Sequence, residues 1–264
     1  MTRGFAATVA AVAVTTILVG CGAASEPAGS SSASASADAL QGEITVFAAA
    51  SLTETFTDIA DAFEKAHPGV TVTLNFAGSS ALVTQLSEGA PADVFASADE
   101  ANMAKATDAA LVAGDPVLFA SNTLEIAVPP GNPAGISSFA DLAAPGLNLV
   151  ICAPQVPCGA ATQTVAADVG VTLAPVSEES AVTDVLGKVA SGEADAGVVY
   201  RTDIAAAGDS VEGIPFDEAG EAVSRYPIAV LAGSGAPDVA TAFVAFVTGA
   251  QGRAVLSAAG FGAS

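Results

Sequence analysis

Four segments of the chain each place a small or hydroxyl-bearing residue where a helix is expected to begin: Ser51 in "VFAAASLTETF", Ser79 in "FAGSSALV", Cys158 in "VPCGAAT" and Val182 in "ESAVTDVLGKV". The first N–H groups of a helix have no partner inside it, and the aligned peptide dipoles leave partial positive charge there, so each such end favours an anion. Four ends at about +0.5 each sum, as an upper bound, to about two charges, which suits a dianion. Ser51 and Ser79 add hydroxyl donors, and Tyr200, which closes "GVVY", adds a phenolic one. Bonds from such groups to an ion are short and stronger than neutral ones. No lysine or arginine lies in these motifs. The chemistry they point to is capture of an anion by uncharged donors.

Taken singly, Ser51 has a simpler reading. With Glu54 three residues on, "SLTE" fits a capping box, the serine oxygen serving a first-turn N–H and the glutamate reaching back. It is the recurrence of the same junction that argues for more than a cap. A serine at a strand-to-helix turn also invites comparison with hydrolases. However, the chain has no G-x-S-x-G elbow and no S-x-x-K, and its single histidine, His67, lies in "KAHPG" at a helix end. Nucleotide chemistry is no better supported, because "GSGAPD" lacks the third glycine and no Walker motif occurs. A zinc site would need more ligands than this histidine and two cysteines supply.

The elements that must position these residues alternate between strand and helix from Glu43 onward, the pattern of an α/β protein with mostly parallel sheets. Glu43 to Ala50 reads as a strand. In the segment after it Leu52, Phe56, Ile59 and Phe63 recur at helical period, and Pro68 with Gly69 stops the helix. Val70–Ala77 and Ala92–Asp99 read as further strands, with helices from Ser80 and around Ala101–Leu111. "NTLEIAVPPGN" is a strand ending in a Pro-Pro-Gly turn, after which a fresh series of elements begins. "RYPIAVLAG" then returns to the first series, followed by two closing helices. This organisation predicts one lobe inserted into another: lobe 1 from residues 43–121 and 228–264, lobe 2 from 122–227, with a hinge near Ser121–Val128 and Tyr226–Val230.

The chain's 264 residues and 52% hydrophobic content are enough for two lobes with real cores. Residues 1–20 read as an export signal, with Arg3 followed by an apolar run from Phe5 to Val19 that is short for a membrane span. "LVGC" then resembles a bacterial lipobox, whose cysteine, here Cys21, becomes the lipidated first residue; the other reading is an ordinary signal peptide with Cys21 incidental. Residues 21–42, rich in Ser, Ala and Gly, form a flexible linker. Setting Arg3 aside leaves six basic against 28 acidic side chains, one unit more negative than the full chain's −21. That balance disfavours nucleic acid and anionic lipid surfaces as partners. Cys152 and Cys158, in "ICAPQVPCG", are either a small disulfide loop, which export favours, or two free thiols.

"ITVFAAASLTE", "FAGSSALVTQLSEGAPADVFASAD", "VPCG" and "GVVYRTD" together resemble the signature segments of the molybdate-binding proteins of bacterial ABC transporters, and the likeness runs from Glu43 to the terminal "AAGFG". The resemblance implies a two-lobed periplasmic binding protein fold of type 2, with mixed sheets flanked by helices and a ligand cleft between the lobes. It implies a monomer that binds molybdate and tungstate, needs no cofactor or metal cation, performs no covalent chemistry and docks on a membrane permease. Carried over residue by residue, the ligands fall on the hydroxyls of Ser51, Ser79 and Tyr200 and on the backbone N–H groups of Cys158 and Val182, with Ala181 the alternative register for the last. Cys158 stands where many members of that family carry alanine. Rival readings are a binding protein for sulfate, phosphate or another solute, and an adhesive surface lipoprotein.

Overall fold

The structure, a computed structural model, describes residues 40–264. The expected signal peptide, the expected lipidation site Cys21 and the expected linker up to residue 39 lie outside the described residues. The elements are β1 (Gln41–Ala49), α1 (Thr53–Ala66), β2 (Gly69–Ala77), α2 (Ser79–Ser87), β3 (Val94–Ala96), α3 (Glu100–Asp108), β4 (Val112–Asn122), β5 (Leu124–Val128) and β6 (Leu149–Cys152). They continue with α4 (Pro157–Val169), β7 (Ser177–Glu179), α5 (Val182–Ala190), β8 (Ala196–Tyr200), α6 (Arg201–Ala207), β9 (Glu212–Ile214), β10 (Ser224–Leu231), α7 (Pro237–Thr248) and α8 (Ala250–Ala258).

The apolar stripe of α1 does what its period predicts. Phe56, Ile59 and Phe63 are fully buried, each such burial contributing about 1.5–3 kcal/mol. Phe63 packs edge-on against Phe243 and Phe246 of α7, with ring centroids 5.3 Å apart in both pairs. The helix ends where the His67 N–H turns back to the carbonyls of Phe63 and Glu64, ahead of Pro68, which cannot continue the ladder.

Two five-stranded sheets organise the chain, in the orders β2-β1-β3-β10-β4 and β7-β6-β8-β5-β9. Each has the same plan. Three parallel strands come first, with β1 between β2 and β3 and β6 between β7 and β8. An antiparallel strand follows, β10 in one sheet and β5 in the other, and then a further antiparallel edge strand. Within each sheet the chain winds outward from a central strand, so the helix-bearing ends of the parallel strands crowd together at the switch point, where ligands of open α/β sheets bind. One core cluster, with Val150, Val165, Val185 and Val198, underlies the second sheet, and two clusters flank the first.

Three departures from the sequence reading have physical causes. β4 is a full strand although Gly114, Asp115 and Pro116 break its pattern; it lies at a sheet edge, where a missing proline N–H is tolerated. β7 and β9 are three-residue edge strands, too short to carry a periodic signal. The chain re-enters the first sheet at Ser224, paired with Asn122, and not near residue 228. Pro227, inside the segment expected to be the returning strand, sits at a register irregularity of β10. The two crossings, at Asn122–Leu124 and at Ser224, therefore run side by side.

Candidate functional site

Every residue singled out from the sequence lies at the carboxyl end of a parallel strand. Ser51 follows β1, Ser79 follows β2, Cys158 follows β6, Val182 follows β7 and Tyr200 closes β8. All five line one small, tight cavity, together with Ala49, Ala50, Gly78, Ala98, Val156 and Pro157. None of these residues is charged. The lining includes Val182 and not Ala181, which is the N-cap of α5. Cys158 is joined to Cys152 in a disulfide, so the loop carrying the Cys158 N–H is covalently closed across its six-residue separation.

The helix ends around this cavity share one property. The turns and helices that begin after Ala49, Gly78, Val156 and Ala181 have no side-chain cap. Lack of a cap is shared by α7 and α8, which do not line the cavity, whereas α3 is capped by Asp99, which accepts the Asn102 N–H at 2.8 Å. The capping box expected of Ser51 and Glu54 does not form. Ser51 lies inside a short 3-10 turn (Ala50–Leu52) ahead of α1, and its hydroxyl is 3.0 Å from the Tyr226 hydroxyl. Ser51 directly precedes Leu52, the N-cap of α1, and so stands one position too early for the box.

The other two hydroxyls are held as firmly. Ser79 is 1% exposed, and its oxygen accepts the Ala98 N–H at 3.0 Å. Tyr200 is 1% exposed and its oxygen accepts from Ser224 Oγ at 3.2 Å. Burial pushes the Tyr200 phenol well above its ordinary value, with the Ser224 bond opposing and nearby Asp99 and Asp203 adding to the rise. It therefore remains a donor at any physiological pH. Sequence reasoning did not single out Gly78 and Ala98, although both lie in a segment that carries the resemblance, nor Ser224 and Tyr226, which lie at the returning strand and are brought here only by the fold.

Contacts cross between the lobes around the cavity. Ala50 packs into the core cluster of the second sheet. Gly78 approaches the backbone of Ser180 so closely that a Cβ at residue 78 would lie 2.0 Å from the Ser180 carbonyl oxygen. Ser51 also borders a wider crevice lined by Glu54, Thr202, Asp203, Leu186 and Phe261 among others. The Glu54 carboxyl group in that lining disfavours an anion, so the small uncharged cavity is the one suited to hold it. Among the described residues no group of three or more His, Cys, Asp or Glu side chains is placed to hold a metal ion.

Asp203 sits directly behind the site, accepting the Tyr200 N–H at 2.8 Å. Burial raises its pKa from 3.8 to about 7, with the Tyr200 bond opposing. Between those values the folded protein keeps a proton that the unfolded chain has released. Stability from this group is full below about pH 4 and is lost as pH rises through about 7. Asp203→Asn keeps an oxygen to accept the Tyr200 N–H and removes the titration. Denaturant midpoints should show the variant gaining about 2 kcal/mol on the parent between pH 5 and pH 8. A constant difference across that range would contradict the assignment.

An uncharged, anion-suited cavity at the switch points of two wound sheets, joined by two adjacent crossings, is the architecture of a two-lobed solute-binding protein. Residues 44–262 match the model of the bacterial extracellular solute-binding protein family, and the chain belongs to that family. The chain is 50% identical over 247 residues to the molybdate-binding protein ModA of Mycobacterium tuberculosis, covering 92% of each chain. It is 32% identical over 231 residues to the Escherichia coli protein of the same name, covering 84% of this chain and 89% of that one. In fold it matches the periplasmic molybdate-binding protein of Azotobacter vinelandii, with a TM-score of 0.69 and 24% identity over 83% of this chain and 98% of that one. The sulfate-binding protein SubI of M. tuberculosis matches equally in TM-score and identity, over 83% of this chain and 86% of that one.

Proposed function

We propose that this protein captures molybdate, and with it tungstate, between its two lobes and delivers the anion to the membrane permease of an ABC importer. The 50% identity to a molybdate-binding protein over nearly the whole chain favours this over a sulfate carrier, which the fold alone would allow equally. The observation that carries the reading is the set of four uncapped helix or turn starts, with three buried or half-buried hydroxyls, around one uncharged cavity. The anion acts as the missing cap of all four ends. Its ligands are the hydroxyls of Ser51, Ser79 and Tyr200 and the N–H groups of Cys158 and Val182.

Because the donors come from both lobes, the anion binds the closed form better than an open one, and closure follows from that difference. A ring of donors held by strand ends and a disulfide fits a large tetrahedral ion better than the smaller sulfate. No covalent step is involved. The protein acts as a monomer outside the cytoplasm, held to the membrane by a lipid on Cys21.

Calorimetry on the chain from residue 22 onward tests the ligand assignment. Molybdate and tungstate should bind, with sulfate and phosphate far weaker. Sulfate binding as tightly as molybdate would overturn the assignment. In the producing cell, Cys21→Ser should move the full-length protein from the membrane fraction to the soluble one, and retention in the membrane would refute the lipid anchor.

A further inference from the structure

Beside the cavity the two sheets' layers are joined by a buried amide. Asn102 lies in the first turn of α3, which packs on the first sheet through Met103 and Ala106, and it is 1% exposed although its side chain is polar. Its Nδ2 donates to the Asp99 carboxylate at 2.9 and 3.0 Å and to the Gln155 carbonyl at 3.4 Å, and its Oδ1 accepts from Lys105 Nζ at 3.0 Å. The two charged partners fix which way round the amide lies, because an ammonium only donates and a carboxylate only accepts. One amide proton therefore serves Asp99 within α3's own layer, and the other crosses to Gln155. The receiving carbonyl is held in place. It belongs to the turn Ala153–Val156 after β6, in which the Val156 N–H donates to the Ala153 carbonyl at 2.9 Å, and the Cys152–Cys158 disulfide spans that turn. The same turn leads into Val156 and Cys158, which line the cavity.

Not every contact between the layers depends on how the lobes sit. Asn122 Nδ2 donates to Thr202 Oγ1 at 2.8 Å, but both residues flank the crossing, where Leu124 pairs with Tyr200, and they stay neighbours in any arrangement. Asn102 and Gln155 are 53 residues apart and share neither a sheet nor a crossing, so their bond exists only while the lobes are together. We propose that Asn102 is a positioning residue that latches α3 to the disulfide-spanned turn and sets how long the closed protein keeps its anion. A bond made only in the closed form adds to closure and must break before the ion leaves. Capture begins with the lobes apart, before the bond exists, so its effect falls on release and not on association.

This inference rests on the anion-capture reading and is tested apart from it. Tyr200 and Tyr226 are the chain's two tyrosines and it has no tryptophan, so stopped-flow tyrosine fluorescence reports on the cavity. In the chain from residue 22 onward, Asn102→Leu keeps the size of the side chain and leaves Asp99 its bond to the residue 102 backbone N–H. Molybdate should leave this variant about threefold to tenfold faster, the loss of one amide–carbonyl bond. Its association rate should stay within about twofold of the parent's. Lys105→Met removes the other charged partner of Asn102 without touching the crossing bond, and should release molybdate as the parent does. Parental release from Asn102→Leu would overturn the proposal, and so would equal acceleration in Lys105→Met, which would place the effect within α3. Should Asn102→Leu fail to fold, NMR on the parent decides: the Asn102 side-chain amide signals should shift when molybdate is added, and unmoved signals would refute the latch. If the parent itself does not bind molybdate, the capture reading falls as well, so the two failures are distinguishable.

Discussion

Ser79→Ala is expected to weaken molybdate binding by about tenfold to a hundredfold, and to lower Tm by about 2–12 °C even without ligand. The first effect is the loss of a hydroxyl bond to an ion, worth about 1.5–3 kcal/mol in a buried setting. The second has a separate origin. Ser79 Oγ is the partner of the Ala98 N–H, and both residues are buried, at 1% and 3% exposure. Alanine leaves that amide without an acceptor where water does not reach it, at a cost of about 1–3 kcal/mol. Calorimetry and thermal melting read the two effects independently. A variant that melts earlier but binds molybdate as the parent does would show that Ser79 only ties β3 to α2, and would remove it from the ligand set.

Gly78→Val is expected to be the more damaging change for binding, lowering molybdate affinity by more than about a hundredfold. The Ser180 carbonyl occupies the space a Cβ would need, and it belongs to backbone of the opposite lobe, which cannot rotate away as a side chain could. A branched side chain at residue 78 therefore wedges the lobes apart at the point where the starts of α2 and α5 meet. The anion would keep the donors of one lobe and lose those of the other. Because Gly78 has φ −59° and ψ 138°, a conformation open to any residue, the substitution introduces no backbone strain of its own. The unliganded variant should keep the parent's circular dichroism, and small-angle scattering should show no compaction when molybdate is added. Compaction equal to the parent's would mean the lobes close without this contact, and the wedge argument would be wrong.

Much of the first sheet's order of elements was legible because the apolar residues of α1 repeat at helical spacing and β1 ends in the apolar run Val46–Ala49. The strand-to-helix junctions were legible for the same reason, and with them the five residues that line the cavity. The expectation for Ser51 and Glu54 failed although its local pattern was complete. A 3-10 turn inserted between β1 and α1 moved the serine out of capping range and toward a tyrosine 175 residues away. β4 was hidden by Pro116, which is tolerated only because that strand ends up at an edge, a fact about sheet order that no local window contains.

By itself, then, the sequence determined where strands give way to helices, and that the residues at those junctions are uncharged donors with no cation among them. Those properties depend on spacings of one to four residues, which local sterics and hydrogen bonding settle. Only the tertiary structure decided that four such ends point into one cavity, that Gly78 meets Ser180, and that Tyr226 and Ser224 stand behind Ser51 and Tyr200. These depend on the winding of two sheets and on the paired crossings at Asn122 and Ser224. Burial of both cores selects that arrangement as a whole, and no short stretch of chain encodes it.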